Sequence, residues 1–187
     1  MFPISLPTQW HPTSRLSEFS ASSQAADWIQ SQGSLTVRIR ELGIAFNLEV
    51  LSQTEQALTK EQRALLETQD DSGLIREVLL KQGACPLVYA QTLIPESTSS
   101  GTESMLTKLG SQSLGQVLFQ SPQATRGQIE FAQVLPDSEL ANYIENQLGQ
   151  PIVQACFIRR SRFLLNQKPL LVSECFLPAL FPEIEAN

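Results

Sequence analysis

In "KPLLVSECFLP", residues 168 to 178, a glutamate interrupts an apolar run. Strand side chains alternate between faces. Leu170, Val172, Glu174 and Phe176 then share one face, and Leu171, Ser173, Cys175 and Leu177 the other. Both rows are mostly apolar, which predicts a strand covered on both sides. A carboxylate in such a row is costly unless it is paired, hydrogen-bonded or protonated. "LIREVLL" (74–80) repeats the pattern with the opposite sign, since Leu74, Arg76, Val78 and Leu80 share a face. Two opposite charges on one sheet can be a structural ion pair, or long side chains reaching for water. They can equally line a closed pocket in which each charge meets a ligand. A planar guanidinium forks onto a carboxylate, and a glutamate can bond a hydroxyl. The pair would then suit a small molecule with a carboxylate at one end and a hydroxyl at the other. A further basic run, "RRSR", puts Arg160 and Arg162 on one face and Arg159 on the other with Ser161 and Phe163. It reads as a solvated strand face or as a cationic rim that draws in anions.

Little else in the chain is equipped for chemistry. His11, the single histidine, lies in a Pro-flanked terminal segment, where order is usually poor. Cys85, Cys156 and Cys175 are odd in number and lack metal-type spacing, so reduced, mostly buried thiols are expected, with no metal and no cofactor. The 187 residues, 42% of them hydrophobic, suit one domain with a real core. A net charge of -6 argues against a general nucleic-acid binder. No apolar run approaches the roughly 20 residues of a membrane span. The start, "MFPISLPTQWHPTS", lacks a basic segment followed by an apolar one, so a cytoplasmic protein is expected.

These charges need a sheet to hold them. Residues 1 to 20 read as an irregular lead-in, and 21 to 187 as a single domain. Helices are predicted over 22–32, capped by Ser22 or Ser23, over 34–43, 59–67, 101–109, 113–119 and 138–149. Ser100 and Glu103 have capping-box spacing for the fourth of these. Strands are predicted over 44–53, within 74–95 as a pair joined around "KQGACP", and over 126–136. A closing β-hairpin turns at Asn166 and Gln167. Hairpin-linked strands imply an antiparallel sheet with helices on one face, the α+β class.

Three segments, "LIREVLL...TLIP", "TKLGSQSLGQVLF" and "RRSRFLLNQKPLLVSECFLPA", resemble the chorismate pyruvate-lyases, most closely over 74–120 and 157–179. A weaker likeness, "DWIQSQGSLTVRI", covers 27–39. The resemblance implies a lyase converting chorismate to 4-hydroxybenzoate and pyruvate for ubiquinone or plastoquinone biosynthesis, acting as a monomer, with helical flaps over an internal cavity. It places the carboxylate-binding arginine on Arg76 and the hydroxyl-binding glutamate on Glu174. Flap contacts fall on Leu35 in "GSLT" and Leu114 in "SLGQ", with Gly33 and Gly115 as adjacent hinges. The product keeps both contacts, so slow release and product inhibition are expected. The family often has a "GRT"-like step where this chain has "AQT" with Gln91, so no cation is expected there and the path of substrate entry is left open. Arg160 or Arg162 is the candidate for the enolpyruvyl carboxylate. The same fold also serves non-catalytic sensing domains that bind small molecules such as phenolic acids. Those regulators normally carry a DNA-binding helix-turn-helix module ahead of the sensor, and here about 20 irregular residues precede the first helix.

Overall fold

The computed structural model describes residues 2–43, 45–100 and 102–181. In chain order the elements are β1 (His11–Pro12), α1 (Ser23–Gln30), α2 (Leu35–Arg40), β2 (Phe46–Ala57), α3 (Lys60–Leu66), β3 (Ser72–Gln82), β4 (Cys85–Pro95), α4 (Glu96–Ser99), α5 (Leu114–Gln120), β5 (Ala124–Gln133), α6 (Glu139–Asn142), β6 (Phe157–Leu165) and β7 (Lys168–Phe176). A 3-10 turn at Thr102–Lys108 precedes α5, and a π turn at Tyr143–Gln147 extends α6. Seven strands form one antiparallel sheet in the order β1-β5-β6-β7-β4-β3-β2. The α+β class therefore holds.

Local chemistry accounts for the connections. Asn166 and Gln167 join β6 to β7 with φ of 51° and 65°, the paired left-handed geometry whose twist matches that of a hairpin. Gly83 turns β3 into β4 at φ 60°. Ser22 caps α1 by accepting from the Ala25 N–H, and Ser113 caps α5 by accepting from that of Gln116. Thr59 and Gln62 form a reciprocal capping box on α3. β7 pairs with β4, which inserts the closing hairpin beside β3–β4. The strands that carry Arg76 and Glu174 thus flank β4.

The helices divide between the two faces rather than gathering on one. On the first face α1 and α2 cover Val78, Val88, Phe131, Phe157 and Phe176. Beside them Leu106, Leu114 and Leu118 cover Leu74, Ile94 and Leu170. On the second, α6 and its π turn pack Leu140 and Ile144 on Leu79, Tyr89, Ile158 and Cys175. Leu66 of α3 covers Ile75, Leu93 and Leu171. Both rows of the central strands are apolar, so each must be sheltered, at about 1.5–3 kcal/mol for each large side chain fully buried.

Several boundaries differ from the sequence reading. The helix expected over 101–109 is split into α4 and a 3-10 turn, with Gly101 outside the described residues. Ser100 does not cap it; its hydroxyl donates to the Glu96 carbonyl and closes α4 instead. The strand expected over 44–53 runs on to Ala57, and its first residue, Ile44, is not described. Within the lead-in, His11 and Pro12 pair with Phe131 and Glu130, and Ile4 is buried. Residues 182–187 of the expected domain lie outside the described residues.

Candidate active site

Arg76 and Glu174 lie on the same sheet face but are not partners. Arg76 stands opposite Thr92 of β4, and Glu174 stands opposite Ala90 on the other side of that strand. Two strand spacings and a two-residue offset separate their backbones by about 12 Å. One six-membered ring with groups at opposite ends fits between two such long side chains. Arg76 is 3% exposed. It donates Nη2 to the Gly110 carbonyl at 2.6 Å and Nη1 to Gln53 Oε1 at 3.4 Å. It meets no carboxylate among the described residues, and burial lowers its pKa.

Glu174 is held by Arg159, whose Nε donates to Oε2 at 2.8 Å. The two residues face each other across the β6–β7 hairpin. Arg159 Nη1 also donates to the carbonyls of Trp28, Ile29 and Ser31. The cation therefore caps the C-terminal end of α1, where orphan carbonyls favour positive charge. One buried arginine thus fixes the candidate glutamate and ties the first flap segment to the sheet. The sequence reading missed Arg159 as the partner of Glu174.

Between Arg76 and Glu174 the sheet is not fully packed. Val78, Ala90 and Val172 keep 8% of their surface and Thr92 keeps 6%, whereas Val88, Ile94 and Leu170 on the same face keep none. Residual surface in the middle of a covered face is space against which a water-sized group fits. Leu35 and Leu114, the first residues of α2 and α5, are both buried on this side. First-turn N–H groups have no intrahelical acceptor. The Thr36 and Ser113 hydroxyls bond each other at 2.5 Å and join the two flaps. The buried Ser34 hydroxyl has no hydrogen-bond partner among the described residues. Gly115 lies inside α5, where a Cβ would come within 3.6 to 4.0 Å of the Ser113, Ser34 and Thr36 hydroxyls. Those are ordinary van der Waals distances, at a position within the first turn of α5. Gly33, in the loop before α2, has open space around it. At that side of the flaps an open cleft of about 510 Å³ is lined by Asp27, Ser31, Ser34, Val37 and Phe119 among others.

The remaining cations sort by face. Arg160 bonds Glu130 at 2.8 Å and lies over the Trp10 ring, and Arg162 pairs with Glu67. Both point to the face away from Arg76 and Glu174, which removes them as candidates for a second carboxylate. A different arginine, Arg126 of β5, is on the site face: it stands opposite Phe163 and donates Nε to the Ser161 hydroxyl at 2.9 Å. Gln91 also faces away, bonded to the Ile4 carbonyl at 2.9 Å and the Tyr89 hydroxyl at 3.2 Å. The "AQT" departure therefore leaves the Arg76–Glu174 face untouched. A larger depression of about 680 Å³ lies on Gln91's side, bounded by the N-terminal segment and α3, and touches neither Arg76 nor Glu174. His11 packs on Phe19 and Phe131. Among the described residues no three His, Cys, Asp or Glu side chains converge as metal ligands would. Among the described residues no helix is long and apolar enough to cross a membrane.

The sequence model named "Chorismate lyase" matches residues 7–185. The chain belongs to the chorismate lyase family. A probable chorismate pyruvate-lyase from Psychromonas ingrahamii is 36% identical over 177 residues, covering 95% of this chain and 94% of that one. Another, from Pseudoalteromonas translucida, is 37% identical over 180 residues, covering 96% and 97%. Among solved structures, the effector domain of PhnF from Mycobacterium smegmatis aligns with a TM-score of 0.57 at 12% identity, over 80% of this chain and 91% of that one. Intact PhnF aligns with a TM-score of 0.60 at 13% identity, over 80% and 66%. These two likenesses establish a shared fold.

Proposed function

We propose that this chain is a chorismate pyruvate-lyase, converting chorismate to 4-hydroxybenzoate and pyruvate. The observation that carries the reading is a pair of charges at opposite ends of one covered, partly unfilled sheet face. One of them, Arg76, has no carboxylate partner among the described residues. Family membership and the relatives' probable activity point the same way.

Chorismate carries a ring carboxylate, a ring hydroxyl and an enolpyruvyl ether on the carbon next to the hydroxyl-bearing one. Breaking the ring carbon–oxygen ether bond releases pyruvate. The hydrogen of the hydroxyl-bearing carbon leaves the ring, and the pyruvate methyl gains one. The remaining ring is aromatic, so atoms and electrons balance without an external oxidant or reductant. The chain's task is to orient the ring, exclude water and steady developing charge. Arg76 offers its remaining N–H donors to the ring carboxylate. Glu174, held in place by Arg159, accepts from the ring hydroxyl and is placed to assist proton movement. Leu35 and Leu114 close the site from the two flaps. Every group invoked comes from one chain, which fits a monomer, and the product suits a cytoplasmic step toward a quinone.

Incubating the pure protein with chorismate and following pyruvate and 4-hydroxybenzoate together tests this. Release of the two in equal amounts, unaffected by a metal chelator, is expected. Tight binding of 4-hydroxybenzoate with no pyruvate release would make the chain a phenolic-acid binding protein of the same fold.

A further inference from the structure

A substrate of this class has two carboxylates, and Arg76 meets one. The other sits on the ether, adjacent to the hydroxyl. If Glu174 takes the hydroxyl, the ether and its carboxylate lie at the Glu174 end. Two arginines stand there. Arg159 commits Nε to Glu174 and Nη1 to three backbone carbonyls.

Arg126 is differently placed. Its Nε donates to Ser161, and Nη1 reaches the carbonyls of Ser31 and Gln32 at 3.3 Å each. Nη2 has no hydrogen-bond partner, and the residue makes no ion pair, among the described residues. The guanidinium lies over the rings of Phe163 and Phe119 at 5.4 and 5.9 Å. Burial, with Arg159 nearby, holds its pKa down at about 10. Arg76, Arg126, Arg159 and Glu174 share one sheet face, and their charges sum to two uncompensated positives, matching a dianion.

A break in strand register puts Arg126 there. Between Arg126 and Ile129, β5 gains one residue relative to β6, since Arg126 faces Phe163 and Ile129 faces Ser161. One extra residue inverts the alternation. Without it Arg126 would point to the opposite face. Bulges of this kind re-aim side chains beside active sites. Ser31 and Phe119, both touched by Arg126, also line the open cleft at the flaps, so Arg126 borders that cleft.

We propose that Arg126 binds the ether-linked carboxylate of the substrate and, after cleavage, the pyruvate carboxylate. This rests on the chorismate reading above. Two aromatic probes separate the contacts without needing turnover: 4-hydroxybenzoate, and 3-(carboxymethoxy)-4-hydroxybenzoate, which adds an ether-linked carboxylate beside the hydroxyl. In Arg126→Gln the dissociation constant of the two-carboxylate probe rises about 30-fold or more. That of 4-hydroxybenzoate stays within about threefold, and kcat/KM for chorismate falls with the first. Arg126→Lys, which keeps the charge and loses the fork, shows the same selectivity at smaller size and serves if the Gln variant does not fold. Equal loss of both probes, or no loss of the two-carboxylate probe, overturns the assignment. Selective loss in a protein that releases no pyruvate from chorismate leaves the Arg126 subsite standing and sinks the lyase reading. Pyruvate release with no selective loss does the reverse.

Discussion

Arg76 and Glu77 are neighbours in the chain, both buried and both charged, and they point to opposite faces of β3. Glu77 is fully enclosed. Its carboxylate accepts from the Ile4 N–H at 2.8 Å, the Tyr89 hydroxyl at 2.5 Å, the Ser52 hydroxyl and Gln91 Nε2 at 3.4 Å. The Tyr89 pKa is raised, first by burial and then by this carboxylate. No cation pairs with Glu77 among the described residues; four neutral donors solvate it in place of water. Arg76 has five N–H donors and spends two, one on a flap carbonyl and one on a long contact to Gln53. A buried charge with its hydrogen-bonding used up is a structural clamp, here holding the N-terminal segment to the sheet. A buried charge with capacity left over is what the proposed ligand site requires of Arg76.

Substitutions at the two positions should separate these roles. The largest effect is expected from Arg76→Ala, which removes a charge-assisted partner of the ligand carboxylate and costs about 2–5 kcal/mol of 4-hydroxybenzoate affinity. Phenol, which lacks the carboxylate, should lose little. Equal losses by titration calorimetry would make Arg76 structural and erase the contrast with Glu77. Glu77→Ala should act on the fold instead, lowering unfolding stability by about 2–3 kcal/mol as several buried donors lose their acceptor. Denaturant titration measures it. The folded fraction should bind 4-hydroxybenzoate as the parent does. A Glu77→Ala protein as stable as the parent, but unable to bind, would reverse the two assignments.

Much of this site was legible in the chain. Strand alternation alone put Arg76 and Glu174 in apolar rows. The partner of Glu174 was legible too, though missed. The turn is at Asn166–Gln167, and counting seven residues outward on each side reaches Arg159 and Glu174, which the register confirms. Arg126 was hidden because a bulge inverts the alternation, and its signal was weak: Gly127 inside a strand pattern. A Cβ there would sit 3.1 Å from the Arg162 carbonyl. The α4 and 3-10 segment was misread because Ser100 fits both ends of a helix. A serine hydroxyl can cap a helix that begins beside it or close one that ends there, and only tertiary packing chooses.

The smallest effect should come from Gln91→Arg, which restores the cation of a "GRT"-like step. Gln91 alternates with Ala90, so its side chain is on the Glu77 face while Ala90 lines the Glu174 side. An arginine there would reach Glu77 and has the adjoining depression of about 680 Å³ to occupy. It would add a Coulomb attraction to a carboxylate already well solvated, and it would itself lose hydration. Those terms nearly cancel for buried pairs, so stability should move by less than about 1 kcal/mol in either direction. The Arg76–Glu174 face sees neither the new charge directly nor a change in packing, and kcat/KM for chorismate should stay within about a factor of two. Steady-state kinetics on the purified variant decides it. A tenfold change in either direction would mean that the sheet couples its two faces, and that Glu77 is more than a clamp.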